Sequence, residues 1–128
     1  MTTYLLDADA LIGHLLQRSE AVALLKTLVR GGNELAVASI TILEIHVGMR
    51  PEEEKRTRTV LEALEVYPLD SRIAGMAGDF IRHYRRRNLN LSIPDAIVAA
   101  TAIANHLVIV TYNSAHFPMP EARLYPAL

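Results

Sequence analysis

The chain contains no cysteine, and this absence excludes several kinds of chemistry. Without a thiol there can be no cysteine nucleophile, no disulfide and no cysteine-bound zinc. The five histidines show no His-Glu-x-x-His or comparable spacing, so most of them are expected to be structural or exposed. A metal centre in this protein would therefore rest mainly on oxygen ligands.

The chain also has little net charge and no long apolar run. Its 13 basic and 14 acidic residues give a formal net charge of -1, so only local patches could attract a nucleic acid. The most apolar stretch, residues 96–112, is interrupted by Asn105 and His106 and is too short to span a bilayer, which takes about 20 residues. The N-terminus lacks the basic segment and apolar run of a signal peptide. We therefore expect a soluble cytoplasmic protein.

Short apolar runs, which indicate buried strands, alternate with segments of helical spacing. The predicted strands are residues 4–6, 35–38, 66–69, 107–110 and 123–125. The predicted helices cover residues 10–16, 21–30, 71–86 and 93–106, and two more begin at Ser39 or Thr41 and within 50–59. This alternation predicts an α/β protein, a three-layer α/β/α sandwich with a short, mainly parallel central sheet. Residues 1–128 fit a single domain.

Three acidic residues interrupt segments that are otherwise apolar. Asp7 ends the first strand, Glu44 lies within residues 40–48, and Asp95 opens the apolar helix after Pro94. A carboxylate among apolar residues is costly unless a cation or a hydrogen-bond donor meets it. Three such residues far apart in sequence predict one shared, buried cation. Hard oxygen ligands favour Mg²⁺ or Mn²⁺.

Each acid also has a structural explanation. Asp7 fits a helix N-cap as well as it fits a ligand at the carboxyl end of a strand. Glu44 shares its helical face with Ile40, Thr41, Val47 and Gly48, and this apolar or small face favours burial over exposure at a helix edge. Asp95 stands in a first turn, where the helix dipole favours a carboxylate and keeps it ionised.

Polar residues also follow the predicted strand 107–110. Thr111, Asn113 and His116 come after its carboxyl end, where a parallel sheet collects ligand-binding groups. Asn113 fits a metal ligand, directly or through water, and fits an ordinary turn residue equally well.

Basic residues are concentrated in one short segment just before Asp95. Its members are Arg82, His83, Arg85, Arg86 and Arg87. Together they could grip RNA phosphates while Tyr84 stacks on a base. Each arginine alone fits equally well a solvated helix end whose dipole favours cations.

Four segments in order resemble the PIN-domain nucleases, and specifically the VapC-type toxin ribonucleases. They are Leu5-Leu6-Asp7-Ala8-Asp9-Ala10-Leu11-Ile12, residues 39–48 around Glu44, residues 93–102 around Asp95, and residues 108–117 around Asn113. Each motif alone is weak, but all four in this order, over nearly the whole chain, are specific. The resemblance implies metal ligation by Asp7, Asp95 and Glu44, the last directly or through water. It also implies a catalytic role for Asn113.

The same resemblance implies an activity and partners. The activity is an endoribonuclease that uses Mg²⁺ or Mn²⁺ to activate water and leaves a 5′-phosphate and a 3′-hydroxyl. Asp9, Thr41 and Thr111 would support the acidic site. The implied partners are an RNA substrate, a VapB-type antitoxin and a second copy in a homodimer, or a larger toxin–antitoxin assembly, with no membrane.

Two positions depart from the family pattern and keep alternatives open. Ala8 stands where the family usually has Ser or Thr, and Asn113 stands where it has a fourth acid. A degenerate PIN domain that binds RNA or a protein without cutting is one alternative. A haloacid-dehalogenase-like phosphatase is another, since Asp7-Ala8-Asp9 imitates its Asp-x-Asp motif, but Glu44 and Asp95 are then unexplained. A nuclease that processes RNA without being a toxin is a third.

Overall fold

The computed structural model of the protein describes residues 2–125, in which strands and helices alternate. The strands are β1 (Thr3–Leu6), β2 (Glu34–Ala38), β3 (Glu65–Tyr67), β4 (Val108–Val110) and β5 (Arg123–Leu124). The helices are α1 (Ala8–Leu15), α2 (Ser19–Arg30), α3 (Ser39–Gly48), α4 (Glu54–Glu62), α5 (Ser71–Arg85) and α6 (Ile93–Asn105). Single 3-10 turns at Pro51–Glu53 and Ser114–His116 complete the described elements.

The strands form one parallel sheet in the order β3-β2-β1-β4-β5. Leu5 in β1 lies opposite Ala36 in β2 on one side and Ile109 in β4 on the other. The chain therefore builds outward from β1 to β3 and then returns to the other side of β1. The carboxyl ends of β1 and β4 meet where this order reverses, which is where open α/β sheets bind their ligands.

Helices cover both faces of the sheet, and alternate residues of each strand point to opposite layers. Leu5 and Ile109 pack with apolar residues of α5 and α6. Leu6, Val37 and Val110 face the other way and pack with α1, α2, α3 and α4. This arrangement confirms the predicted three-layer α/β/α sandwich. The site lies at one edge of a sheet that is buried on both faces.

Helix α6 has more buried residues than any other helix in the described part of the chain. Every residue from 96 to 102 is buried, as its lack of charge predicts. Ser92 caps the helix and Pro94 occupies its first turn, which fixes the start of α6. Within residues 2–125, no helix combines the length and the hydropathy that crossing a membrane requires.

Several element boundaries differ from the sequence prediction by one or two residues, and two of the differences have identifiable reasons. Helix α1 begins at Ala8 and not at residue 10, because the Asp7 side chain accepts a hydrogen bond from the Ala8 backbone N–H and caps the helix. The prediction of a strand at residues 66–69 is wrong at its end. Pro68 has no N–H to donate to a strand partner, and the Leu69 N–H donates to Ser39 Oγ.

Candidate active site at the carboxyl edge of the sheet

Asp7 lies at the point where β1 and β4 end side by side. Its backbone N–H donates to the Val110 carbonyl at 2.9 Å. Its Oδ1 accepts from the Ala8 backbone N–H at 2.9 Å, and its Oδ2 accepts from Thr111 Oγ1 at 2.9 Å. The residue is only 7% exposed. The carboxylate is therefore both an N-cap and a fixed, buried acid, so the two explanations of Asp7 hold together.

Asp9 is the centre of a second set of hydrogen bonds. Its Oδ2 accepts from the Tyr112 backbone N–H at 3.0 Å and from Asn113 Nδ2 at 2.7 Å, and it lies 3.3 Å from Thr111 Oγ1. The Thr111 hydroxyl has one proton and lies closer to Asp7, so its hydrogen bond to Asp7 is the stronger one. The other Asp9 oxygen, Oδ1, is buried and has no hydrogen-bond partner among residues 2–125. Asp9 Oδ2 therefore connects Thr111, Tyr112 and Asn113 to the end of β1, and its role in a reaction stays a prediction.

Asn113 is held by this network through its nitrogen. Its side-chain amide donates to Asp9, and its backbone N–H donates to Thr111 Oγ1 at 3.0 Å. These contacts bring together residues that are 104 positions apart in the chain. Because the amide nitrogen is used, the side-chain carbonyl oxygen is the atom that Asn113 can offer to a ligand.

Asp95 approaches the same edge from α6 and contacts His116. Its backbone N–H donates to the capping Ser92 Oγ at 3.2 Å, and its Oδ2 lies 3.3 Å from His116 Nδ1. The next residue, Phe117, is buried in the core and anchors the turn that carries His116. Sequence analysis missed this contact because the two residues belong to different elements. The position of His116 after β4 was the available signal.

Glu44 is half-buried on α3, which begins directly after β2. Thr41, one turn earlier, is fully buried, and its hydroxyl has no hydrogen-bond partner in the part of the chain that the structure describes. The expectation of a buried face around Glu44 is wrong at its far end, since Val47 is 80% exposed and Gly48 is also exposed. The buried residues of α3 are Thr41 and Ile45, whereas residues 46–48 at its end are exposed.

The three acids lie near enough to repel one another. Burial is the main cause that raises the pKa of Asp7 to about 6, with Asp9 and Asp95 adding to the rise and the hydrogen bonds from Thr111 and Ala8 opposing it. Burial also raises the pKa of Glu44, and the negative charges of Asp7 and Asp95 add to that rise. This edge of the sheet is therefore a pocket of negative charge.

The sequence predicts three acids that converge on one cation, but the part of the chain that the structure describes contains no such site ready to bind a metal. Within residues 2–125, no three acidic or histidine side chains are grouped closely enough to hold a metal ion. Carboxylates repel when nothing positive lies between them, and Asp95 Oδ2 faces His116 instead. The chemistry of the donors still fits a hard divalent ion, because the set consists of carboxylate oxygens and includes the unpartnered Asp9 Oδ1.

The arginines at the end of α5 are exposed, but the tyrosine among them is buried. Arg82 pairs with Asp79 at 3.0 Å, while Arg85, Arg86 and Arg87 make no ion pair within the described residues. Tyr84 is only 7% exposed and packs in the core, so the expectation that its ring could stack on a base is wrong. Its helical position places it on the apolar face of α5 with Ala77 and Phe80.

Residues 4–119 match the PIN domain family. The chain belongs to that family. PIN membership leaves the phosphatase alternative without support, and the geometry agrees, since Asp9 Oδ2 is occupied by Tyr112 and Asn113.

Comparison with individual PIN-domain proteins agrees with the family assignment. Ribonuclease VapC10 of Mycobacterium tuberculosis is 37% identical over 119 residues, which cover 91% of this chain and 87% of the relative. A toxin–antitoxin complex from Klebsiella pneumoniae contains a chain with a TM-score of 0.80 and 28% identity, covering 98% of both chains. VapBC2 from Rickettsia felis, bound to a promoter DNA fragment, has a TM-score of 0.85, 20% identity and coverage of 97% and 98%. The PIN-like α/β fold is thereby confirmed.

Proposed function

We propose that this PIN-domain protein is a metal-dependent endoribonuclease and the toxin of a VapBC-type pair, with residues 1–128 forming the one catalytic domain. The observation that carries the proposal is that Asp7, Glu44 and Asp95 lie on neighbouring elements at one edge of the sheet, where burial first and the charges of nearby acids second raise the pKa values of Asp7 and Glu44. Strong perturbation of several acids at one place is typical of a functional site. The 37% identity to a protein named as a ribonuclease supports RNA cleavage as the reaction.

In this proposal Asp7, Asp95 and Glu44 hold Mg²⁺ or Mn²⁺, with Glu44 acting directly or through water. Asn113 offers its carbonyl oxygen as the fourth catalytic group, and Asp9, Thr41 and Thr111 support the others. The bound ion would neutralise the phosphate and lower the pKa of the attacking water. The chain itself must therefore supply position and charge, not a nucleophile.

The hydrogen bonds of the site show how the chain supplies position. Ala8 and Thr111 each use one donor to fix one oxygen of Asp7. His116 Nδ1 lies 3.3 Å from Asp95 Oδ2, close enough to limit where that oxygen can point. Partners of this kind orient the ligands of metal sites and are nearly as important as the ligands. Each acid keeps lone pairs that can face a cation.

RNA also requires positive charge outside the acidic pocket. Arg85, Arg86 and Arg87 are exposed and make no ion pair among the described residues, and they come shortly before α6. We include them, with the ion-paired Arg82, as the phosphate-binding segment. Their contribution would be independent of base sequence and sensitive to salt.

Partners and location follow from the same assignment. The VapBC and Klebsiella complexes contain toxins of this fold with their antitoxins, so a VapB-type antitoxin is the proposed partner. A homodimer, or a larger toxin–antitoxin assembly, is supported by large apolar side chains that stay exposed on α3, in β3 and just after β3. These are Leu43, Val47, Val66 and Leu69. A cytoplasmic location is proposed because the RNA substrate is there.

The deciding experiment is cleavage of total cellular RNA by the purified, antitoxin-free protein. Discrete fragments are expected with Mg²⁺ or Mn²⁺, and none with EDTA or with Glu44→Gln. Glu62→Gln is the matched control, since Glu62 is an exposed acid at the end of α4. Fragments that persist in EDTA would reject the metal-dependent reaction.

A second candidate is a PIN domain that binds RNA without cutting it. The observation in its favour is that the acids are not grouped into a preformed metal site within residues 2–125. In the same experiment, folded protein that binds both metal and RNA but leaves every RNA intact would favour this candidate over the nuclease.

A further inference from the structure

A small pocket opens beside the acidic site, on the side of α1 and α2. Its volume is about 290 Å³, and it shares Asp9 and Asn113 with the hydrogen-bond network of the site. Its other lining residues are Arg18, Glu20, Ala21 and Tyr112. An RNA strand whose phosphate lies at the acids has a neighbouring nucleotide within reach of this pocket.

The walls of the pocket are held by the close approach of α1 and α2. A Cβ atom at Gly13 would lie 3.0 Å from the Ala21 Cβ, and 3.9 Å from both Arg18 Cδ and Tyr112 Cε2. The stem of Arg18 and the ring of Tyr112 therefore both lie over the bare backbone of Gly13. The backbone N–H of Arg18 donates to the Gly13 carbonyl at 3.0 Å, which fixes the backbone position of Arg18 in this wall.

The second wall is fixed by the acidic site itself. The backbone N–H of Tyr112 donates to Asp9 Oδ2, which fixes the backbone from which the ring projects. The side of the ring remains accessible, and the residue is 42% exposed. Tyr112 is therefore an oriented aromatic surface next to the acids, whereas Tyr84 is buried.

Charges of both signs surround the Tyr112 hydroxyl. Burial raises the pKa of Tyr112, the carboxylates of Glu20 and Asp9 raise it further, and Arg18 lowers it. Arg18 makes no ion pair among the residues described. The pocket thus combines an aromatic ring, a guanidinium and the exposed Glu20 carboxylate, which can accept a hydrogen bond.

We propose that this pocket binds the base of the unpaired nucleotide next to the cleaved phosphate. Tyr112 stacks on the base, Arg18 contacts the adjoining phosphate, and Glu20 accepts a hydrogen bond from an exocyclic amino group. An aromatic ring and a cation side by side form the usual platform for single-stranded nucleic acid. Because uracil has no exocyclic amino group, Glu20 makes the pocket prefer adenine or cytosine to uracil. This inference rests on the proposed ribonuclease function and specifies part of its substrate recognition.

The test is fluorescence anisotropy with short labelled oligo(A), oligo(C) and oligo(U) in a cleavage-deficient Asp95→Asn background. Tyr112→Ala is expected to weaken binding about tenfold or more, because stacking of one base is lost, and Tyr112→Phe is expected to keep it. Arg18→Ala should also weaken binding, while Arg72→Ala, the matched control on an exposed arginine of α5, should not. Glu20→Gln should reduce the preference for oligo(A) and oligo(C) over oligo(U).

A second measurement uses the unmodified protein, so it does not require a substituted protein to fold correctly. Photo-crosslinking of the unmodified protein to RNA carrying 5-iodocytidine should label the peptide that contains Tyr112, since iodopyrimidines couple to stacked aromatic rings. Crosslinks that all fall elsewhere, together with full RNA affinity in Tyr112→Ala, would overturn the pocket.

The outcomes separate this inference from the proposed function. If the protein cuts RNA and Tyr112→Ala cuts it with unchanged KM and kcat, the pocket is rejected and the nuclease stands. If Tyr112→Ala loses affinity for a protein antitoxin but not for RNA, the pocket is a protein-docking site and the inference fails. If the wild-type protein neither binds nor cuts RNA, both proposals fall.

Discussion

His116 and Asp95 contact each other across 3.3 Å, between Nδ1 of the imidazole and Oδ2 of the carboxylate. The contact joins the turn after β4 to the first turn of α6. At the start of the same turn, the Asn113 side-chain amide donates to Asp9 Oδ2. Phe117, which follows His116, is buried in the core. One short segment therefore positions acids that come from opposite ends of the chain.

Removal of the His116 imidazole should weaken metal binding. His116→Ala leaves Asp95 without its orienting donor, and the loss of such a partner typically costs about 10- to 100-fold in metal affinity or activity. Calorimetric titration with Mn²⁺ measures the affinity directly. His116→Asn, which keeps a donor near the position of Nδ1, should restore part of it. His83→Ala on the exposed face of α5 is the control. Unchanged Mn²⁺ affinity in His116→Ala would show that the contact does not position Asp95.

Asp7 should reduce the stability of the metal-free protein at neutral pH. Burial raises its pKa from 3.8 to about 6, so folding favours the protonated form. The favourable contribution is complete below about pH 4 and is lost as the pH rises to about 6. The difference corresponds to roughly 3 kcal/mol.

Urea unfolding of the metal-free protein between pH 4 and pH 8 tests this expectation. Asp7→Asn lacks the titrating group, so it should become more stable than the wild type above about pH 6 and should match it near pH 4. Added Mg²⁺ should stabilise the wild type and not the variant. Parallel stability curves for the two proteins across this range would contradict the pKa assignment.

Asn113→Asp should make the metal-free protein less stable and more responsive to metal. The change replaces a donor 2.7 Å from Asp9 Oδ2 with a second carboxylate, so a hydrogen bond is lost and a repulsion is gained. We expect a loss of about 1 kcal/mol or more, which lowers Tm by a few degrees, and a larger rise in Tm on addition of Mg²⁺.

Asn105→Asp is the matched control for that variant. It also removes an amide donor, which bonds to the Thr101 carbonyl at 2.9 Å, but it does so at the far end of α6. Its Tm should not become more sensitive to Mg²⁺. If both variants respond alike to Mg²⁺, then Asn113 is an ordinary turn residue.

Thr41→Val should separate stability from activity. The Thr41 hydroxyl is fully buried without a partner, and an unsatisfied buried polar group costs about 1–3 kcal/mol. Valine has nearly the same shape, so the variant should unfold at higher urea concentration. If the hydroxyl supports Glu44 during the reaction, RNA cleavage should fall at the same time. A variant that is less stable and fully active would remove Thr41 from the site.

Much of the fold could be predicted because its signals are local. Strands of a parallel sheet that is buried on both faces are apolar throughout, and capping residues such as Asp7, Asp70 and Ser92 mark where helices begin. The end of β3 could not be predicted from apolar character alone, since Val66 and Leu69 are both exposed. The hydrogen bond from Leu69 to Ser39 is a tertiary contact that no local pattern shows.

In the candidate site, too, some residues could be predicted from local sequence and some contacts could not. Acids in apolar surroundings identified Asp7, Glu44 and Asp95, because the cost of burying a charge is visible in sequence. The pairing of Asn113 with Asp9 and of His116 with Asp95 depends on strand order, which local sequence does not encode. Tyr84 was misjudged for a related reason, since its neighbours in sequence are charged and only the helical period places it on the buried face.

Strand order also determines when the site can exist. β1 is synthesised first but lies in the middle of the sheet, and one of its edges stays unpaired until β4 has been made. Thr111, Asn113 and His116 follow β4, so a growing chain that has not reached them has Asp7 without its hydroxyl partner and Asp95 without its imidazole. The proposed ribonuclease site can therefore be complete only after β4 and the turn that follows it have been synthesised.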